Sequence, residues 1–332
     1  MTIGRFSCPA RAALAGNPSD GYGGAVVAVP VDACRATVRV DHHDRFAIDP
    51  APTPDDTFGT WDELSEHVSR FGYRGSRPLL LAALRRFSAH TGRPPVPVAV
   101  HLSTSIPRSV GLAGSSAIVI AMLRGLYAAN DIVTPPPDEL ASLALSVEVD
   151  ELGISAGLQD RVVQAYGAPV AMEFGPAAQR SIAGMPAGTY RTLDWEHLGP
   201  LLVAARPTDA EPSHVPHDDL RSRHARGDRS LGAAMDRLAD TARWAARAID
   251  DGDRTELCRA LDASFDIRAA NIGATPGQHR SVEIARAAGG SANSTGSGGS
   301  IVVAAHDDVH GDALADALTA DGCVVLPVGP AG

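Results

Sequence analysis

The chain has 332 residues, of which 44% are hydrophobic and 20% are charged, and it carries a formal net charge of −10 with a pI near 5.6. This length and balance predict a folded protein of two domains and exclude a disordered tail. The acidic balance argues against binding to the phosphate backbone of nucleic acid and favours a small-molecule partner. All 29 basic residues are arginine, and the absence of lysine excludes a Walker-A loop, a protein-kinase strand lysine and a Schiff-base enzyme.

Cysteine spacing and hydropathy indicate the compartment. The four cysteines have no CxxC spacing, which argues against a metal knuckle or a disulfide framework. The longest apolar runs, such as 117–123, are far shorter than the ~20 residues of a membrane span, and the start lacks a signal-peptide pattern. We therefore expect a cytoplasmic protein with no membrane partner. The sequence leaves the oligomeric state open between a monomer and a homodimer.

The predicted elements mix strands and helices in both halves of the chain. In the first half, strands are predicted at 26–31, 37–40, 46–48 and 96–102, and helices at 61–70, 78–90, 115–129, 138–151 and 155–166. In the second half, strands are predicted at 201–205, 301–305 and 323–328, and helices at 229–250, 254–270, 278–288 and 312–320. The proline- and histidine-containing stretch 207–228 is predicted to be a mobile loop. The pattern gives an α+β class with domains at 1–190 and 191–332.

A glycine- and serine-rich turn joins the strand ending at residue 102 to the apolar helix after it. Backbone N–H groups and the helix dipole converge at such a turn, which suits a phosphate, and serine hydroxyls there can bind oxygens or Mg²⁺. A flexible turn with a serine N-cap explains the same residues. The candidate phosphate-binding residues are Gly111, Leu112, Ala113, Gly114, Ser115, Ser116 and Ala117.

Two further glycine-rich segments are candidate parts of a binding site. Residues 295–300, TGSGGS, precede an apolar strand, where they could close over a ligand or form an ordinary hairpin loop. Near the start, residues 8–20 end in Asn17 and Asp20 and are followed by GYGG, so these polar side chains could hold the hydroxyls of a sugar. The Asn-Pro-Ser-Asp sequence is also typical of a turn.

Two carboxylates, Glu148 and Asp160, flank the turn at 153–157. A Mg²⁺-bound phosphate needs a carboxylate as metal ligand, and a hydroxyl acceptor needs another carboxylate to take its proton. The alternative is a solvated glutamate and an aspartate at a helix start.

Together, these segments resemble the motifs of the GHMP kinase superfamily, which contains galactokinase, homoserine kinase, mevalonate kinase and phosphomevalonate kinase. Residues 9–20, 111–117 and 295–300 resemble its three motifs in order. Residues 16–20, 106–119, 151–162 and 265–268 make the chain most similar to glucuronokinase-like sugar kinases, over nearly its whole length. The resemblance implies an N-terminal domain like ribosomal protein domain two and a ferredoxin-like C-terminal domain, with ATP and substrate between them.

The resemblance also implies a reaction and the roles of single residues. The reaction is ATP- and Mg²⁺-dependent phosphorylation of a hydroxyl of a monosaccharide or sugar acid. The acceptor most strongly implied is the anomeric hydroxyl of glucuronate, which would give the 1-phosphate. Asp160 and Arg11 are implied as catalytic, and Ser116 and Glu148 as Mg²⁺ ligands. Residues implied at the substrate are Asn17, Asp20, Gly157 and Gly298.

Two departures leave the acceptor open. Asn293 stands where a lysine is expected in plant glucuronokinases, and 210–217 fits the family pattern poorly. Other acceptors remain alternatives, namely a heptose phosphate, arabinose, galactose or a sugar-like biosynthetic intermediate. A catalytically silent ATP- and sugar-binding sensor and a related diphosphate decarboxylase are the alternatives from other classes.

Overall fold

A long antiparallel hairpin forms the centre of the first sheet. The computed structural model describes residues 1–48, 57–73, 77–209 and 214–330. In it, β1 (Thr2–Ala15) pairs along its length with β2 (Ala25–His42). The pairing shifts register between Pro9 and Ala10. Such a bulge bends a strand and changes the direction of the side chains after it. Arg11 is the second residue beyond this shift.

Short strands complete this first sheet on both sides of β2. Those of the described residues are β3 (Phe46–Ile48), β4 (Thr57–Phe58), β5 (Val98–Thr104), β6 (Val170–Glu173) and β9 (Thr189–Thr192), in the order β4-β3-β5-β2-β6-β9. A separate hairpin contains β7 (Arg180–Ile182) and β8 (Met185–Ala187). The helices of this half are α1 (Trp61–Phe71), α2 (Pro78–Thr91), α3 (Gly114–Ala129), α4 (Pro137–Ser146) and α5 (Leu158–Tyr166). Helix α3 packs against β1 and β2, which explains its apolar composition on most sides.

The second sheet is antiparallel and has the strand order of a ferredoxin-like domain. Its strands are β10 (Leu201–Ala205), β11 (Ser291–Ser294), β12 (Ser300–Ala304) and β13 (Val324–Val328), in the order β11-β12-β10-β13. The helices of this half are α6 (His214–Ala225), α7 (Arg229–Asp250), α8 (Arg254–Asn271), α9 (Pro276–Ala287) and α10 (Asp308–Ala320). Side chains cap the N-termini of the last four. Helices α7 and α8 begin at the predicted residues, whereas α9 and α10 begin before the predicted starts at 278 and 312, because their capping residues are Thr275 and Asp307.

The structure confirms the α+β class. The first sheet ends at Thr192 and the second begins at Leu201, while the main apolar core contains residues of both sheets. The boundary near residue 190 stays a prediction. Within the described ranges, no helix has both the length and the apolar composition needed to cross a membrane.

Several predicted elements differ from the structure. The strands expected at 26–31 and 37–40 belong to the single strand β2, because one antiparallel hairpin with β1 carries both. The helix expected from residue 155 begins at Leu158. The prediction of a mobile loop at 207–228 is wrong over residues 214–225, which form α6, and residues 210–213 lie outside the described part. Helix α6 has few apolar residues, but Leu220 packs in a cluster with Leu231 of α7 and is 4% exposed. Tertiary packing therefore stabilises a helix that lacks an amphipathic pattern.

Candidate active site

A cavity of about 450 Å³ lies where the sequence motifs meet. Its wall contains Arg11, Asn17, Asp20, Glu148, Gly157 and Asp160, together with residues 111–115 of the phosphate-loop candidate. Ser116, Ala117 and Gly298 are not among the described residues that line it. The fold thus brings together residues from β1, from the start of α3, from the α4–α5 region and from the segment before β12.

The turn before α3 has the conformation of an anion-binding loop. Gly111 has φ of +85° and Ala113 has φ of +58°, and α3 begins at Gly114 without a side-chain cap. The first N–H groups of a helix have no intrahelical acceptors, so an uncapped N-terminus is open to an anion. The alternative of a serine N-cap is not observed, because Ala113 occupies that position. Ser115 lines the cavity, whereas Ser116 is fully buried and its Oγ donates to the carbonyl of Ala113 at 3.2 Å.

The glycine-rich segment at 295–300 packs onto this loop. A Cβ at Gly298, which has φ of +126°, would lie 2.8 Å from the carbonyl oxygen of Ser109. The Thr295 hydroxyl donates to the carbonyl of Gly111 at 3.1 Å. Glycine is therefore needed at Gly298 for the close approach of two backbones. Gly296 and Ser297 form the cavity wall at this point.

Asp160 lies in the first turn of α5 and faces two arginines. The guanidinium of Arg11 is ion-paired with Asp160 Oδ1 and also donates to the carbonyl of Thr295. Arg161 Nη1 lies 3.4 Å from Asp160 Oδ2. The side chain of Arg11 is 5% exposed and that of Asp160 is 20% exposed. The carboxylate is consequently held in a fixed position while it keeps access to the cavity.

Glu148 forms a buried ion pair with Arg161. It is 1% exposed, in a π-helical turn (Val147–Glu151), and Arg161 Nε donates to Glu148 Oε2 at 2.9 Å. Burial, the largest single influence, opposes the charged form of Arg161, but the charges of Glu148, Asp160 and Asp20 and the hydrogen bond to Glu148 together outweigh it and raise the pKa of the guanidinium. The sequence analysis assigned no role to Arg161. Its position directly after Asp160 was the sequence feature that could have indicated a role in the site.

The residue types of this region match those of a magnesium site, but in this structure both carboxylates are paired with arginine and Ser116 is fully buried. Carboxylate oxygens of Glu148 and Asp160 lie at the cavity wall, and hydroxyls of Ser115 and Ser116 lie in the adjacent turn. Oxygen ligands of this kind are those that Mg²⁺ prefers.

Asp20 and Gly157 form the wall next to Asp160. Asp20 Oδ1 accepts a hydrogen bond from Gln159 Nε2 at 2.8 Å, and a Cβ at Gly157 would overlap with Asp20 Oδ2. Burial, followed by the charge of Asp160, raises the pKa of Asp20 to about 6. Gly157 therefore makes room for a carboxylate that lies close to the candidate base.

The amide of Asn17 is largely bound within the protein. Asn17 is 2% exposed, and its Nδ2 donates to the carbonyl of Ser294 at 3.2 Å. Asn293, where a lysine was expected, is fully buried and donates to the carbonyl of Leu14 at 2.9 Å and to Asn17 Oδ1 at 3.3 Å. Asn293 thus links β11 to the segment after β1.

Arg221 of α6 is a cavity residue that sequence reasoning missed. Its Nη1 donates to Ser155 Oγ at 2.8 Å at the edge of the cavity. No sequence signal could have found it, because its segment has no helical periodicity.

The chain is similar in sequence to a known protein family and to curated proteins. Residues 78–168 match the family model described as GHMP kinases N terminal domain. The chain is 32% identical over 308 residues to Glucuronokinase 1 of Arabidopsis thaliana, covering 89% of this chain and 83% of that protein.

Solved structures share the fold over the full length of the chain. The Methanococcus jannaschii mevalonate kinase has a TM-score of 0.74 at 16% identity, with 99% of this chain and 98% of that chain covered. The Streptococcus pneumoniae phosphomevalonate kinase in complex with phosphomevalonate and AMPPNP has a TM-score of 0.75 at 14% identity, with 98% and 99% covered. These likenesses confirm the expected two-domain fold, and the identity to the glucuronokinase extends over most of both proteins. The chain belongs to the GHMP kinases, a family of ATP-dependent kinases.

Proposed function

We propose that this protein is an ATP- and Mg²⁺-dependent sugar kinase that phosphorylates the anomeric hydroxyl of glucuronate to give the 1-phosphate. The observation that carries the proposal is a cavity in which Asp160, held by Arg11, shares a wall with an uncapped glycine-rich helix start. The identity to a glucuronokinase over most of the chain supports the acceptor.

The N-terminus of α3 is the proposed site of the ATP phosphates. Amides of residues 111–116 donate to the phosphate oxygens, whereas the amide of Ala117, also expected there, donates to the carbonyl of Ala113. The helix dipole adds to the attraction. Apolar side chains of the same cavity, including Leu79, Leu102 and Ile118, would pack against the nucleoside. Ser116 and Glu148 are the proposed Mg²⁺ ligands, and the bound ion would neutralise charge on the phosphates.

Asp160 is the proposed catalytic base. It orients the anomeric hydroxyl and accepts its proton as the sugar oxygen bonds to the γ-phosphorus, while the bond from that phosphorus to the β,γ-bridging oxygen breaks and ADP leaves. Arg11 keeps Asp160 in position and stabilises the negative charge that is transferred.

The proposed sugar contacts divide into direct and supporting ones. Asp20 presents a carboxylate at the cavity wall and is proposed to accept hydrogen bonds from sugar hydroxyls. Asn17, Gly157 and Gly298 are proposed to act by shaping the walls, since their contacts within the protein are close. The cytoplasmic location and the monomeric or homodimeric state stay predictions.

The first experiment measures ATP- and Mg²⁺-dependent turnover of glucuronate, galacturonate, galactose, arabinose and a heptose 7-phosphate. Phosphorus NMR identifies the position of the new phosphate. We expect a 1-phosphate from glucuronate. Turnover of another acceptor alone would contradict the substrate and keep the kinase mechanism, whereas ATP binding without turnover would favour a sensor.

The Asp160→Asn variant tests the base. Loss of a positioned general base costs about 10²- to 10⁴-fold in turnover, so kcat should fall by that factor. The dissociation constant of ATP should stay within about twofold of the wild type, because the phosphate-binding amides are unchanged. Asp236→Asn, which changes an exposed aspartate of α7, is the matched control and should keep full turnover. A fully active Asp160→Asn variant would refute the assignment.

A further inference from the structure

Helix α6 carries Arg221 to the edge of the cavity and is packed on both sides of this residue. Leu220, the preceding residue, is 4% exposed and belongs to the apolar cluster that contains Leu231 of α7. One turn after Arg221, the ring of His224 contacts the ring of Tyr22 at a centroid distance of 4.9 Å. These contacts fix the last turns of α6, so the position of Arg221 is a property of the fold.

Among the described residues, four arginines line the cavity, and they differ in their partners. Arg11 is ion-paired with Asp160, and Arg161 with Glu148. Arg108 lies three residues before Gly111, where the proposed phosphate loop begins.

Arg221, by contrast, donates to neutral acceptors, Ser155 Oγ at 2.8 Å and the carbonyl of Ala156 at 3.4 Å. Within the part of the chain that the structure describes, it has no carboxylate partner. Its guanidinium offers five N–H donors, so further donors remain for a ligand.

A short series of contacts connects Arg221 to the sugar side of the cavity. Its acceptors at 155 and 156 directly precede Gly157, and Gly157 lies against the carboxylate of Asp20. Asp20 in turn is bound by Gln159, the residue before Asp160. Arg221 therefore borders the part of the cavity where an acceptor would lie against the proposed base.

The charges on the acceptor side of the cavity favour a cation at this point. Glu148 and Asp160 are paired with Arg161 and Arg11, whereas Asp20 is bound by the neutral Gln159 and adds a negative charge next to Asp160. The carboxylate of an acidic acceptor would be repelled by Asp20 unless a positive group met it. Arginine is suited to this task because its planar guanidinium can bind a carboxylate through two parallel hydrogen bonds.

We propose that Arg221 binds the carboxylate of the acceptor and thereby selects a uronic acid over a neutral sugar. This inference rests on the proposed function. Specificity for the uronic acid would then come from α6, a helix of the second half of the chain. Because the carboxylate lies away from the reacting hydroxyl, Arg221 contributes equally to binding of substrate and transition state, and its loss raises KM more than it lowers kcat.

The test compares the wild type with Arg221→Gln and with the matched control Arg226→Gln, which changes an exposed arginine just after α6. Charged hydrogen bonds of this kind correspond to about a 10- to 100-fold change in affinity, so Arg221→Gln should raise the KM for glucuronate by that factor while kcat stays within about threefold. Arg221→Lys should recover part of the loss, and Arg226→Gln should leave both constants within about twofold of the wild type, since its side chain does not line the cavity.

Glucuronamide, the neutral amide of the same sugar, supplies the second readout as a substrate or as a competitive inhibitor. The wild type should prefer glucuronate, and Arg221→Gln should lose this preference. An unchanged preference, or a fall in kcat at constant KM, would overturn the role of Arg221 even if glucuronate is the substrate. A wild type that phosphorylates only neutral sugars would overturn both the proposed acceptor and this inference, so the two failures are distinguishable.

Discussion

Replacing Asp20 by asparagine removes a carboxylate that the folded protein holds at an energetic cost. The pKa of Asp20 is raised from 3.8 to about 6, first by burial and then by the charge of Asp160. Between these values the folded state binds a proton that the unfolded state has released. The free energy of unfolding of the wild type therefore decreases as pH rises through this window, and the loss is complete above it.

The size of the effect follows from the shift. At about 1.4 kcal/mol per pKa unit, the charged form of Asp20 costs about 3 kcal/mol at pH 7, and about half of that at pH 5. Asp20→Asn removes this cost, and the remaining amide oxygen can still accept the hydrogen bond from Gln159 Nε2. The stability gained by the variant should thus be larger at pH 7 than at pH 5 by about 1 kcal/mol. Retaining a carboxylate at this cost is consistent with the proposed contact to the sugar.

Urea denaturation monitored by tryptophan fluorescence at pH 5, 6, 7 and 8 gives the comparison. Only the change with pH is diagnostic, because any lost hydrogen bond contributes equally at each pH. Asp236→Asn provides the baseline for an exposed aspartate. A stability difference between Asp20→Asn and the wild type that is the same at pH 5 and pH 7 would refute the raised pKa.

Two further substitutions test the contacts around Asp160. In Gly157→Ala the new methyl group would overlap with Asp20 Oδ2 and displace that carboxylate, so the KM for the sugar should rise by about tenfold while the ATP dissociation constant is unchanged. Gly232→Ala, whose Cβ meets no atom within 4 Å, is its control, and equal kinetics of the two variants would argue against the contact. Arg161→Met leaves Glu148, which is 1% exposed, without its arginine and should destabilise the fold by about 3 to 5 kcal/mol in urea denaturation. Adding Glu148→Gln should restore part of that loss, and a single variant as stable as the wild type would contradict a buried ion pair.

Local sequence was sufficient for many elements of the fold and for the phosphate loop. Helices α7 and α8 begin directly after capping aspartates, which local sequence shows, so their limits are close to those predicted. The loop at 111–114 contains Gly111 with a positive φ and is followed by an apolar helix, and both signals lie within a few residues of one another. The order of the motifs also indicated the family, and the comparisons confirmed it.

The tertiary structure alone decided which side chains meet in the cavity. Arg11 and Asp160 are 149 positions apart, and Arg11 and Thr295 are 284 apart, so no local pattern relates them. The same holds for the packing of Gly298 on Ser109 and for the pairing of Glu148 with Arg161. Helix α6 is held by the packing of Leu220 against α7, and this packing brings Arg221 to the cavity. Periodicity and turn chemistry act between neighbours in the chain, whereas ion pairs and close backbone contacts depend on how separate segments pack together.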